Sequence, residues 1–191
     1  IAPAMASASW STRGRDSALT IPEATVALTL SSSSFKEGET LKMDHILSAD
    51  YGFGCGGGNK SPQLSWSGAP AGTKSFAVTC YDPDAPTGSG FWHWVVVNIP
   101  AGTTELKLDA GNPKAGLLPK GALQTRTDFG APGYGGPCPP EGHGPHRYVF
   151  TLFAVKQDAL PVNADTSAAI IGFQLHFNTI EKATLTGNFA R

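Results

Sequence analysis

Two short segments of this 191-residue chain hold side chains that can do chemistry at a useful spacing. The first is Asp82-Pro83-Asp84-Ala85-Pro86, which follows a strand-like run and leads through Thr87-Gly88-Ser89-Gly90 into Phe91-Trp92-His93-Trp94. Two carboxylates at the mouth of a strand, braced by two prolines of fixed φ, make a stiff acidic corner. A hairpin-like return would bring His93 beside Asp82. The second is Pro139-Pro140-Glu141-Gly142-His143-Gly144-Pro145-His146-Arg147-Tyr148, another Pro/Gly-braced loop running into a strong strand. A carboxylate next to an imidazole fixes its tautomer and favours its charged form. Two such imidazoles, His93 and His146, with backbone N–H groups from Gly-rich loops, suit a small anion such as phosphate. Either histidine alone reads more readily as a satisfied structural residue. With Asp82 and Tyr148 as partners, the reading becomes a binding pocket without a nucleophile.

Other motifs fall away on inspection. Gly52-Phe53-Gly54-Cys55-Gly56-Gly57 matches the dinucleotide pattern by letter, but no apolar strand precedes it and no helix follows to meet a pyrophosphate. No Gly-x-Ser-x-Gly elbow and no phosphate-binding loop ending in Lys-Ser/Thr is present. Asn59-Lys60-Ser61 fits a glycosylation triplet, a pattern that chance produces often. A metal-dependent hydrolase built on Asp82, Asp84, His93 and His146 would lack a general base separate from its ligands. The expectation is a protein that is not an enzyme and needs no cofactor or metal.

The elements that must position these residues read as strands. Thr25–Leu30 alternates apolar and polar residues; Leu64–Trp66 and Phe76–Tyr81 flank a Gly/Pro turn; Phe91–Ile99 and Arg147–Val155 are nearly continuous in β-formers. Leu123–Phe129 is a candidate short strand, residues 101–122 a loop-rich excursion, and Thr184–Phe189 a final strand. The best helix spans Thr166–Ile180, capped by Asp165 or Thr166, with Ile170, Ile171, Leu175 and Ile180 on one stripe. The chain carries 23 glycines and 15 prolines, about a fifth of its residues, which fits many forced turns and excludes a helix bundle. Lys and Arg number 14 against 15 Asp and Glu, so no basic excess exists to neutralise a nucleic-acid backbone. No apolar run approaches the 18 residues of a membrane span.

Cys80 sits in a strand-like run, whereas Cys55 and Cys138 both lie in Gly-rich loops. That distribution suggests one bridge, Cys55 to Cys138, which would imply an oxidising compartment; two unrelated exposed thiols are the alternative. Residues 1–24 are rich in Ala and Ser without periodicity, and read as a disordered or processed tail before a single domain at 25–191.

The two boxes also carry a resemblance. Asp-Pro-Asp-Ala-Pro at 82–86 and Gly-Pro-His-Arg at 144–147, followed by Tyr148, resemble the phosphatidylethanolamine-binding protein family, in particular its bacterial Raf-kinase-inhibitor-like branch. Ser61–Trp66, Trp92–Asn98 and Gln124–Gly130 are similar to that branch as well. The resemblance implies a mostly β fold: a large central antiparallel sheet packed on a smaller one, with few short helices. It implies a small cavity for phosphate, phosphoethanolamine or a phospholipid headgroup, lined by Asp82, Pro86, His93, Pro139, Pro140, His146 and Tyr148. Asp84 is expected to be structural, and His143 has no counterpart among the pocket positions. The Cys55 and Cys138 pair resembles exported members and implies a periplasmic or secreted protein, with a cytoplasmic one as the alternative. The alternative function is an interaction modulator, acting on a kinase or a host signalling partner, with the pocket regulatory or vestigial. The end of the sequence soon after the last strand implies no longer terminal helix of the kind in animal relatives, so kinase inhibition is not expected simply to transfer.

Overall fold

A computed structural model describes residues 26–191; the N-terminal tail assigned to residues 1–24 lies outside them. Among the described residues, eight strands form two antiparallel sheets. The smaller has the order β1-β2-β5, from β1 (Thr29–Ser31), β2 (Leu64–Ser67) and β5 (Glu105–Leu106). The larger has the order β6-β4-β3-β7-β8, from β3 (Ser75–Asp82), β4 (Phe91–Pro100), β6 (Leu123–Gln124), β7 (His146–Val155) and β8 (Thr179–Phe189). This is the two-sheet, mostly β architecture expected, with one α-helix, α1 (Ala168–Asn178).

The large sheet is apolar on both faces, which explains the unbroken apolar runs in its strands. One face, through Phe76, Val78, Trp94, Val96, Phe150 and Leu152, packs on the small sheet's Leu30, Leu64 and Trp66. The other, through Ala77, Val95 and Val97, packs on Ala168, Ile171 and Leu175 of α1. The two long strands that carry the chemistry, β3 and β7, are neighbours at the sheet centre. Their even-numbered residues share the first face. Asp82 therefore continues the row of Phe76, Val78 and Cys80, and His146 and Tyr148 continue the row of Phe150 and Leu152.

β4 delivers His93 differently. Opposite β3, Cys80 pairs with Trp94 and Tyr81 with Trp92, so His93 is the extra residue of a β-bulge. A bulge lets two successive side chains share one face. Trp94 enters the core on the same side as Tyr148, and the His93 ring lies 5.1 Å from the Tyr148 ring. Strict alternation would have put His93 on the helix side.

Five sequence expectations need correction. The helix cap is Ser167, whose side chain accepts from Ile170 N–H. Asp165 and Thr166 are instead tied into a turn with Asn163. The buried stripe of α1 is Ala168, Ile171, Leu175 and Asn178, whereas Ile170 and Ile180 are 51% and 41% exposed. The chain leaves the helix at Thr179, and β8 starts there rather than at Thr184, because its first residues find partners along β7. Finally, the 123–129 strand shrinks to Leu123–Gln124, and two residues of the 101–122 excursion form β5.

Candidate functional site

Where β3, β4 and β7 end, they meet the loops at 47–58, 83–90 and 129–140 around a cavity of about 190 Å³. All seven residues expected to bind ligand line it: Asp82, Pro86, His93, Pro139, Pro140, His146 and Tyr148. Among its described lining residues, Asp82 is the sole carboxylate, and no lysine or arginine is present.

Asp82 is 3% exposed and His146 1%. One Asp82 carboxylate oxygen accepts from Asp84 N–H at 2.8 Å, and the other lies 2.7 Å from His146 Nδ1, which must donate its proton there. The histidine that Asp82 orients is thus His146; the hairpin expectation had placed His93 beside it. His93 Nδ1 lies 2.7 Å from the carbonyl of Gly135 and donates to it. Burial lowers the His93 pKa, so its ring is neutral with Nε2 unprotonated. Burial likewise pushes the Tyr148 phenol far up, so it stays a neutral hydroxyl.

His143 belongs to this cluster. Its Nδ1 stands 2.7 Å from His146 Nε2, giving a chain from Asp82 through His146 to His143. Gly142 and Gly144 flank it with φ of 72° and 88°, a left-handed turn that folds its ring back toward β7. Sequence reasoning gave His143 no role; its spacing of three from His146 across a Gly-Pro turn was the available signal.

The walls come from less obvious residues. Phe129 meets His93 edge-on at 5.5 Å and also contacts Phe91 and Phe53. A β-carbon on Gly135 would collide with the Phe129 ring, so that wall depends on a glycine. Asn59, the triplet asparagine, holds the same loop: its amide donates to Tyr134 O and accepts from Gly136 N–H. Its glycosylation partner Ser61 is fully buried. The Gly52–Gly57 stretch is a wall loop with no helix after it.

Cys55 and Cys138 form the expected bridge, and Cys138 lines the cavity. Arg191 adds a second tie, donating to the carbonyls of Pro139 and Phe53. Asp84 points away from the cavity. The Arg147 guanidinium grips it in a fork at 2.7 and 2.9 Å and holds its carboxyl down at about 2. Among the described residues, no cluster of three or more His, Cys, Asp or Glu side chains is arranged to hold a metal.

A larger groove of about 450 Å³ lies between α1 and the large sheet, mostly apolar, with His176, Glu181 and Lys182 on its lining. The smaller cavity is where the polar chemistry converges.

Two antiparallel sheets with a small cavity at the strand ends, floored by a carboxylate–imidazole pair, define a β-sheet protein with one built site. The chain belongs to the phosphatidylethanolamine-binding protein family, whose profile matches residues 31–190. It is 52% identical over 168 residues to the UPF0098 protein YbcL of Escherichia coli, covering 88% of this chain and 90% of that one. It is 48% identical to the UPF0098 protein YbhB of the same organism, over 84% of this chain and 99% of the relative. The crystal structure of E. coli YbcL, described as a member of the mammalian PEBP family, superposes with a TM-score of 0.83 at 51% identity. That match covers 87% of this chain and 99% of the solved one.

Proposed function

We propose that this protein is a non-enzymatic binding protein whose cavity takes a small anion: phosphate, phosphoethanolamine or a phospholipid headgroup. The observation that carries this reading is the convergence of Asp82, His93, His146 and Tyr148 on one cavity. At about 190 Å³ the cavity is below the roughly 300–1,000 Å³ of sites for drug-sized ligands, which favours a headgroup-sized occupant. The apolar rim of Phe53, Phe91, Phe129 and the proline pair would cover the organic part of a phosphoester. With no arginine or lysine at the cavity, the positive charge must come from protonated imidazole. Asp82 fixes the orientation and tautomer of His146 by accepting its Nδ1 proton. Tyr148, whose ring packs on His93, is kept a neutral phenol by burial, so binding rather than turnover is the expected activity.

The Cys55–Cys138 bridge supports a periplasmic or secreted location, because such bonds persist in oxidising compartments. No described helix is long and apolar enough to cross a membrane. A second reading, an interaction modulator, has one specific support: Ile170, Phe173, Phe177 and Ile180 are all more than 40% exposed beside one another on α1 and the start of β8. Clustered exposed apolar residues mark contact surfaces. Calorimetric titration with phosphoethanolamine separates the readings. Wild-type protein should bind it and a His93→Ala, His146→Ala variant should not; equal heats from both would remove the anion site.

A further inference from the structure

We propose that His143 gates the cavity by occupying the ring nitrogen of His146 that an anion needs. The proposal rests on the anion reading above and adds its regulation. Both nitrogens of His146 are engaged: Nδ1 with Asp82 and Nε2 with His143 Nδ1, each at 2.7 Å. A hydrogen bond between two imidazole nitrogens holds one proton. If His146 carries it, His143 accepts it; if His143 carries it, His146 presents a lone pair. In neither case does His146 offer an N–H to the cavity. His93 does not replace it, because its single proton is spent on Gly135 O and its Nε2 is an acceptor. The closed pair therefore leaves an anion facing the Asp82 carboxylate with no imidazole donor.

Anion binding then requires the His143 ring to leave. His143 has the freedom to do so. It lies on an exposed Gly-His-Gly turn, and its ring is held by the contact with His146 rather than by burial. His146, by contrast, is fixed by β7 and Asp82. Once His143 swings out, the His146 imidazolium keeps its ion pair with Asp82 and presents Nε2–H to the ligand.

The gate responds to acid. When both imidazoles are protonated neither can accept, the shared bond is lost and two positive rings repel. The charged and titratable groups around them do not offset this. Asp82 is shared between His146 and the Asp84 N–H, and Asp84 is spent on Arg147. Glu141, two residues before His143, pairs with Arg191 at 3.8 Å. His93 and Tyr148 face the cavity as neutral groups. Falling pH thus opens the pair, supplies the donor and raises anion affinity together.

The test uses sulfate, a tetrahedral anion whose charge is constant from pH 5.5 to 7.5, titrated by calorimetry into wild type, His143→Ala and His143→Gln. Wild type should bind several-fold more tightly at pH 5.5 than at 7.5. Both variants should bind at pH 7.5 at least several-fold more tightly than wild type, with a flatter pH profile. Variants that bind as wild type or more weakly would overturn the gate and leave the anion site standing. Absence of sulfate binding in all three proteins at pH 5.5 would overturn the anion site and the gate with it. Histidine ¹⁵N spectra supply a second readout: His146 Nε2 should shift in ligand-free His143→Ala, and an unchanged signal would show that the pair does not exist in solution.

Discussion

The Asp82 carboxylate accepts a hydrogen bond from His146 at 2.7 Å across 64 positions of sequence, with both side chains at most 4% exposed. β3 and β7 make the contact possible by lying side by side with their even-numbered residues on one face. The polar pair continues two rows of core residues, so the site is built on the most regular part of the sheet.

Removing the acceptor should therefore be costly. Asp82→Ala leaves a buried imidazole N–H without its partner, at about 1.5–3 kcal/mol of folding stability for a bond to a charged group. Urea unfolding should show that loss, and phosphoethanolamine affinity should fall more than tenfold. Asp82→Asn supplies one acceptor oxygen where two donors, Asp84 N–H and His146 Nδ1–H, converge; it should recover part of the stability but little of the affinity.

Stability should depend on pH through two groups with opposite chemistry and the same sign. The His93 pKa is depressed by burial, so the unfolded chain takes up its proton first as pH falls. That contribution is complete above about pH 6.5, the ordinary imidazole value, and is lost as pH drops below it. Asp84 is held at about 2 by Arg147, against 3.8 as its ordinary value. Its contribution is present above about pH 4 and lost toward pH 2. Thermal melts should show both declines, and Asp84→Asn should flatten the lower one. The pair is largely solvated, so that second effect should be small.

The Cys55–Cys138 bridge closes a loop across 83 positions. Chain-entropy reasoning puts its contribution at about 4.5 kcal/mol. Thiol titration of denatured, unreduced protein should find one reactive cysteine, Cys80. Three would contradict the bridge. Reduction should lower the unfolding midpoint and weaken ligand binding together, because Cys138 is part of the cavity wall.

Gly135→Ala should damage the site without touching a polar group. The added methyl collides with the Phe129 ring, which packs on His93. Overpacking of this kind costs about 1–3 kcal/mol. The variant should show shifted His93 resonances and weaker binding, and a wild-type spectrum would show that the wall is softer than described.

Much of this site was legible in the sequence: the Pro/Gly-braced boxes pointed to Asp82, His93, His146 and Tyr148, and the family resemblance added Pro86, Pro139 and Pro140. The residues of both boxes that were expected at the cavity are there, and the loop cysteines are bridged. What stayed hidden depended on long-range geometry. Which histidine met Asp82 depended on strand neighbours and on a one-residue bulge at His93, and neither leaves a pattern in the chain. Phe129 sits in a loop, so no periodicity marked it as a wall. Ser167 is the cap rather than Asp165 or Thr166: the Thr166 hydroxyl and the Asp165 backbone N–H are held in a turn by Asn163, a choice among adjacent good cappers that propensity does not rank. Ile170 and Ile180 were placed on one stripe with Ile171 and Leu175, yet α1 buries the face centred on Ile171 and Leu175 alone.

The most direct test of the central claim is a histidine side-chain ¹⁵N spectrum recorded near pH 6 while phosphoethanolamine is added to millimolar concentration. His93 and His146 should move together and saturably, with His146 shifting toward the imidazolium form, while His45 and His176 stay in place. Unmoved His93 and His146 signals at that concentration would contradict an anion site in this cavity.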